Sequence, residues 1–193
     1  MKFAVGYQMA EGGEEPFLDI VSDYRDHVAE VYFPWLGMAS GRSALSVRRG
    51  YVDRQAQAQL EQDLIALRSM GIKLDLLLNA NCYGGRAVSQ HLQNEVASVL
   101  EHLNAVCGGA DVVTTTSPFI AHTVKEHFPD IEVRASVNMR IGTIKGMQYM
   151  ADLFDGYYVQ REHNCDLEHI AQLRQWAVAN GKWLFILVNS GCL

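Results

Sequence analysis

The regular alternation of short apolar runs with segments of helical periodicity constrains this 193-residue chain more than any other feature. A helix with one buried face places apolar residues three, four and seven positions apart, whereas a buried strand is a short continuous apolar run. Strict strand–helix alternation indicates a parallel sheet with right-handed crossovers. Six helical segments separate the seven predicted strands, which span residues 3–7, 28–35, 73–78, 111–115, 132–137, 156–159 and 183–188.

Two closures of such a sheet compete: a doubly wound open sheet and an eight-stranded barrel. A barrel brings every strand's carboxyl end to one face, so each strand should end in polar residues. An open sheet concentrates its site where the strand order reverses, often after a glycine-rich turn. Here six of the seven predicted strands run into polar residues, and no GxGxxG follows the first. We therefore favour an α/β fold of the TIM-type (β/α) barrel class.

The strand count falls one short of a closed barrel, so about seven of eight βα units are present. We predict a single barrel domain over residues 1–193 that is incomplete at its C-terminus. A last strand without a covering helix would expose an apolar face and a sheet edge. We expect either a fragment or a shortened relative that completes itself by association, for example as a homodimer through the open edge.

Charge and composition exclude several classes of partner. The formal net charge of −6 argues against broad nucleic-acid binding, which needs clustered cations. No apolar stretch approaches the roughly 20 residues that cross a bilayer, and no signal peptide pattern begins the chain. The cysteines are scattered without a CxxC pair, which favours a reducing compartment, so we expect a cytoplasmic protein without membrane contact.

The longest predicted connection, residues 37–55, is rich in arginine. Arg42, Arg48, Arg49 and Arg54 alternate with small residues there. Loops of this length are often functional, and this one could cover the barrel mouth and bind a carboxylate, a phosphate or an RNA-like backbone. The same composition is also typical of a solvated loop, which is the somewhat preferred interpretation.

Polar residues at the strand ends are the candidates for chemistry. Asn79 and Asn81 alternate along one strand, so both amides could face a substrate, although Asn is also a usual turn residue. The Arg161–Asn164 segment combines a cation, a carboxylate and an imidazole, which suits substrate clamping or proton transfer. The alternative is that Asn164 caps the next helix and that Arg161 pairs with Glu162.

The candidate site residues are therefore assigned as follows. The catalytic candidates are Asn79, Asn81, Arg161, Glu162 and His163. The substrate-binding candidates, expected at the barrel mouth, are Gln8, Arg42, Arg48, Asn138, Arg140, Asn164 and Asn189.

Three stretches together resemble one family: RASVNMRIG at 134–142, YYVQREHNCDLEHI at 157–170 and LFILVNSGCL at 184–193. They look like the U32 peptidase family of collagenase-like proteases. The resemblance implies a TIM-like catalytic domain and a hydrolase of unassigned catalytic type, acting on a peptide or another polar substrate. Arg161 and Glu162 match the family's Arg-Glu pair, and Cys192 matches the first cysteine of its cluster-binding region.

Related members act in oxygen-independent hydroxylation, for ubiquinone synthesis or on RNA, and some bind an iron–sulfur cluster through cysteines. The family's further cysteines lie beyond the end of this chain, and a cluster normally takes four thiolates. We therefore expect no cofactor in the chain as given, and an iron–sulfur cluster with Cys192 as a ligand only in a full-length form. Three functions stay open: a peptidase-like enzyme, a fragment of an iron–sulfur hydroxylation protein and a non-catalytic binding module.

Overall fold

The computed structural model describes residues 2–10, 13–41 and 53–188. Strands and helices alternate through these residues. The strands are β1 (Phe3–Gly6), β2 (Val28–Pro34), β3 (Lys73–Leu78), β4 (Val112–Thr115), β5 (Glu132–Ala135), β6 (Gly156–Tyr158) and β7 (Trp183–Phe185). The helices are α1 (Phe17–Asp23), α2 (Arg54–Ser69), α3 (Gln90–Cys107), α4 (Pro118–His127), α5 (Ile144–Tyr149) and α6 (Leu167–Ala179). Three short 3₁₀ turns, Gly84–Arg86, Val137–Met139 and Arg161–His163, follow β3, β5 and β6.

The seven strands form one parallel sheet in sequential order, from β1 to β7. Arg134 on β5 reaches Glu30 on β2 with an Nη1–Oε1 distance of 2.7 Å, although two strands lie between them. Contact across that separation requires the sheet to curl. The predicted TIM-type barrel with about seven of eight units is therefore confirmed. The doubly wound alternative is wrong, because its strand order would reverse.

The apolar core lies between the outer face of the curled sheet and the helices. Leu60, Leu64 and Leu67 on α2 are fully buried, as their spacing of four and three residues predicts. Each such side chain stabilises the fold by roughly 1.5–3 kcal/mol relative to an exposed one. The strands contribute alternate residues to the same layer, including Val31, Phe33, Leu74, Leu76, Val113 and Val133.

The ends of the helices follow local sequence signals. Ser117 accepts a hydrogen bond from the Ile120 backbone N–H at 3.3 Å, and Pro118 occupies the first turn of α4. This is the start that the Ser-Pro step predicts. Asp166 caps α6 through the His169 backbone N–H at 3.0 Å. The capping role considered for Asn164 is therefore filled by Asp166.

Some predicted strands run longer than the observed ones. The fifth ends at Ala135, two residues early, because Ser136 accepts a hydrogen bond from the Asn138 backbone N–H and begins a 3₁₀ turn. Arg140 then takes a left-handed conformation with φ 55°. Apolar residues in this turn continue the pattern of the strand, so periodicity alone does not mark the boundary.

The inner face of the curled sheet is charged near its middle. Besides the Arg134–Glu30 pair, Arg134 Nε contacts Glu132 Oε1 at 2.7 Å. Asp75 is fully buried and accepts a hydrogen bond from the Thr114 hydroxyl at 2.8 Å. Burial, and after it the charge of Glu30, raises the pKa of Asp75 to about 8. The inside of the sheet therefore contains a buried polar network.

No helix formed by the described residues is long and apolar enough to cross a membrane.

Candidate active site

The carboxyl ends of β3, β5 and β6 enclose a cavity of about 360 Å³, which we call the mouth cavity. Active sites of (β/α) barrels lie on this face of the sheet. Five residues singled out from the sequence meet here, although they come from three separate segments. The cavity is lined by Asn81, Val137, Asn138, Arg140, Arg161 and Glu162.

Two 3₁₀ turns position the charged side chains. Val137–Met139 delivers Arg140, whose backbone oxygen accepts a hydrogen bond from Gln160 Nε2 at 2.5 Å. Arg161–His163 follows Gln160 directly and carries the next charged group. Asn164 closes that turn by donating its Nδ2 to the Leu187 backbone oxygen at 2.8 Å. Asn164 thus links this turn to the segment that follows β7, and it does not line the mouth cavity.

Glu162 forms an ion pair with Arg140 across the mouth. The Arg161–Glu162 pairing considered from the sequence is therefore replaced by a contact between two different turns. Glu162 hydrogen-bonds its own backbone N–H, and this bond, together with the Arg140 charge, lowers the pKa of its carboxyl group. Glu162 is consequently a stable carboxylate at neutral pH.

Arg161 lines the same cavity, and its guanidinium makes no hydrogen bond or ion pair with any residue that the structure describes. A guanidinium presents a rigid fork of donors that matches a carboxylate. Arg161 is therefore a cation with its bonding capacity open towards the mouth cavity.

The two amides of the third strand end have different surroundings. Asn79 Oδ1 accepts hydrogen bonds from the Ser40 hydroxyl at 3.0 Å and the Gly41 backbone N–H at 2.8 Å. Asn79 thus anchors the start of the arginine-rich loop, while Asn81 is exposed in the mouth cavity. Gly41 packs so tightly that an added Cβ would lie 2.8 Å from Asn138 Nδ2.

A second cavity of about 480 Å³, which we call the side cavity, adjoins the first. Arg140 lines both cavities. His163 opens onto the side cavity, and its ring packs against that of His169 in a tilted arrangement with 4.3 Å between the ring centroids. Apolar and polar groups share the lining, among them Met139, Ile141, Tyr149, Met150 and Gln160.

Gln8 lies apart from this site. It lines another cavity, of about 550 Å³, beside α1 and α2, where the Tyr7 hydroxyl donates to Asp63 Oδ2 at 2.7 Å. The structure thus does not bring Gln8 to the mouth cavity. Arg42, Arg48, Asn189 and Cys192 lie outside the described residues, so their proposed roles stay predictions.

Cysteines and other metal ligands do not converge in the described part of the chain. No group of three His, Cys, Asp or Glu side chains there is arranged to hold a metal ion. Cys107 is buried, whereas Cys82 and Cys165 are exposed. The described residues therefore offer no fit for an iron–sulfur cluster.

The charged network inside the sheet was missed by the sequence reasoning. Glu30, Asp75 and Arg134 lie at inward-facing positions of three predicted strands. The signal for this network in the sequence was the presence of charged residues inside otherwise apolar strands. Their partners are 39 and 104 positions away, however, and local spacing does not reveal such pairs.

No protein-family model matches the chain, and no curated protein matches it by sequence. Solved structures that share its fold include the following two. The U32 peptidase Mk0906 is similar with a TM-score of 0.67 and 15% identity, over 91% of this chain and 65% of that one. An L-ribulose 3-epimerase is similar with a TM-score of 0.52 and 15% identity, over 97% of this chain and 71% of that one.

The chain thus spans just under two thirds of the length of the U32 peptidase that it matches. Because both similarities rest on 15% identity, they concern the fold and not the chemistry. What they establish is that this chain has the curled, parallel (β/α) architecture of TIM-barrel proteins.

Proposed function

We propose that this chain is a peptidase-like enzyme that binds a peptide, or another polar substrate bearing a carboxylate, in the mouth cavity. One observation carries the proposal: Arg161, with its open guanidinium, lines the same cavity as the Arg140–Glu162 pair. Convergent charged groups at the carboxyl face of a barrel are the usual arrangement of a catalytic site on this fold.

Each charged group has a distinct proposed role. Arg161 binds a carboxylate or a carbonyl oxygen of the substrate through paired N–H donors. Glu162 accepts a hydrogen bond from a substrate N–H or from the attacking water. Asn81 orients the substrate through its exposed amide. In the proposed reaction, water adds to the peptide carbonyl, the C–N bond breaks and the amine leaves with a proton.

The lowered pKa of Glu162 limits which of these roles it can serve. General acid catalysis needs a carboxyl group that stays protonated near the working pH. A carboxyl group that is already ionised is suited instead to orienting water or an N–H group. We therefore assign Glu162 as an orienting carboxylate that is held in place by Arg140.

The similarity to a U32 peptidase supports a peptide as the first substrate to test. The similarity to an epimerase supports only the shared scaffold, since the same barrel carries many chemistries. No observation on the mouth cavity favours a sugar over a peptide.

A peptide mixture analysed by mass spectrometry tests the proposal. We expect the purified protein to cleave unstructured peptides, and Arg161→Gln and Glu162→Gln to lose that cleavage while remaining folded. The matched controls are Arg25→Gln and Glu101→Gln, which change exposed residues away from the mouth cavity. Absence of cleavage by the parent protein, or equal cleavage by all four variants, would overturn the proposed function.

A second candidate is association through the edge of the sheet. Among the described strands, β7 has a neighbour on one side only, and Trp183 on it is 64% exposed. Exposed apolar edges favour pairing with another chain. We propose that a second copy covers this edge. Light scattering should then give a dimer for the parent protein and a monomer for Trp183→Lys, whereas a monomeric parent would contradict the proposal.

A further inference from the structure

The mouth cavity and the side cavity adjoin each other. Arg140 belongs to the lining of both. Arg161 opens onto the first and His163 onto the second, although only one residue separates them. Residues two positions apart in a 3₁₀ turn are separated by about 4 Å along its axis. This distance is close to the length of one extended residue.

Arg140 makes contacts through both its backbone and its side chain. Among the described residues it is the only non-glycine residue with a positive φ, at 55°. Its backbone oxygen accepts a hydrogen bond from Gln160 Nε2, and its guanidinium forms an ion pair with Glu162. A residue stays in the left-handed region only where its surroundings fix it, and such positions cluster at ligand sites.

The mouth cavity and the side cavity differ in chemistry. The mouth cavity offers the open guanidinium of Arg161 and two amides. The side cavity is lined by Met139, Ile141 and Met150, whose flexible or branched apolar groups adapt to a bulky side chain. Tyr149 stands at its rim with 88% of its surface exposed, so that its ring is free to meet an aromatic group.

From this division we infer that the site selects a carboxylate that lies next to a large apolar or aromatic side chain. The carboxylate binds Arg161 in the mouth cavity, the side chain enters the side cavity, and Arg140 borders both. This inference rests on the proposed function, because it assigns the substrate class of the same cavity. It adds a specificity pocket, in which Tyr149 and the two methionines recognise the side chain.

Three small ligands separate the two contacts. N-acetyl-phenylalanine carries both groups, N-acetylglycine has the carboxylate without the side chain, and N-acetyl-phenylalanine amide has the side chain without the charge. Dissociation constants are measured on the full chain by titration in ¹H–¹⁵N NMR spectra. We expect N-acetyl-phenylalanine to bind about three- to tenfold more tightly than N-acetylglycine, and about tenfold more tightly than the amide.

Two variants assign the contacts to residues. Tyr149→Ala should weaken N-acetyl-phenylalanine about threefold or more and leave N-acetylglycine within about twofold. Arg161→Gln should weaken both acids about tenfold and leave the amide unchanged. Tyr24→Ala is the matched control for the aromatic ring, because Tyr24 is also exposed but lies at the end of α1.

The outcomes distinguish the inference from the function on which it rests. If both acids bind equally and depend on Arg161, but Tyr149→Ala has no effect, the specificity pocket is wrong and the carboxylate site stands. If neither acid binds, or if Arg161→Gln changes nothing, the proposed function is overturned together with this inference. Selective loss of N-acetyl-phenylalanine in Tyr149→Ala, but not in Tyr24→Ala, supports the pocket.

Discussion

The molecule contains two arginine–glutamate pairs in opposite surroundings. Arg134 and Glu30 lie inside the curled sheet, with 5% and 7% of their side chains exposed. Arg140 and Glu162 lie at the mouth, with 71% and 51% exposed. A buried pair has lost its hydration and cannot lose a partner without leaving an uncompensated charge. An exposed pair contributes little to stability, so it is available for a ligand.

Arg134 shows how a buried cation is retained. Burial by itself would lower its pKa, but hydrogen bonds to Glu132 and Glu30 outweigh that effect and raise it. Its guanidinium also lies 4.1 Å from the centre of the Phe185 ring. One side chain on β5 thereby joins β2 and β7, which gives the curled sheet a contact across its interior. The mouth pair joins two turns and no strands.

Arg134→Met is predicted to have the largest effect. The change leaves Glu30 buried without its partner, and breaking such a pair costs about 3–5 kcal/mol of unfolding free energy. Urea denaturation followed by circular dichroism measures this loss. Arg140→Met is the matched control and should leave the unfolding midpoint nearly unchanged. Equal loss in both variants would remove the distinction between the two pairs.

The unfolding free energy of Asp75→Asn should depend on pH differently from that of the parent protein. The pKa of Asp75 is about 8 in the folded chain and about 3.9 in an unfolded one. At any pH between these two values, unfolding therefore releases a proton from Asp75. The contribution of Asp75 is therefore fully present at low pH and is lost as the pH rises towards 8. Asparagine cannot ionise, and the variant should gain about 1.4 kcal/mol relative to the parent for each pH unit in this window.

Urea unfolding of both proteins at pH 5 and pH 7 measures that difference. We expect the advantage of Asp75→Asn to grow by about 3 kcal/mol between the two conditions. A difference that is constant with pH would show that Asp75 ionises normally in the folded chain. Asp130→Asn, at an exposed position, serves as the control for the substitution itself.

Gly41→Ala should have a smaller effect that is confined to the mouth. The added Cβ would lie 2.8 Å from Asn138 Nδ2 and 3.2 Å from the Asn79 backbone oxygen, so Asn138 must shift. We expect a loss of about 1 kcal/mol in unfolding free energy and weaker binding of N-acetyl-phenylalanine. Gly85→Ala is the control, because an added Cβ there meets nothing within 4 Å. Equal behaviour of the two variants would contradict the tight packing at Gly41.

The architecture could be predicted because it depends on local periodicity. The apolar spacing of Leu60, Leu64 and Leu67 specifies a buried helix face, and short apolar runs specify strands. Polar strand ends identified Asn81, Arg140, Arg161 and Glu162 as neighbours, because all strands of a parallel barrel point the same way.

The details of pairing could not be predicted, since they depend on contacts between distant segments. Arg134 and Glu30 are 104 positions apart, and nothing in the local sequence of either indicates the other. Glu162 pairs with Arg140, which has a left-handed backbone and lies in another turn, and not with its sequence neighbour Arg161. Asn79 was expected to face a substrate, but its amide oxygen holds the backbone of Gly41.

Binding and stability measured together on Arg161→Gln test the central claim most directly, namely that the exposed charges at the mouth bind a ligand. Titration with N-acetyl-phenylalanine should show about tenfold weaker binding, while the urea unfolding curve stays that of the parent protein. Unchanged binding would contradict the account. So would a loss of stability comparable with that of Arg134→Met, because Arg161 would then be a structural residue.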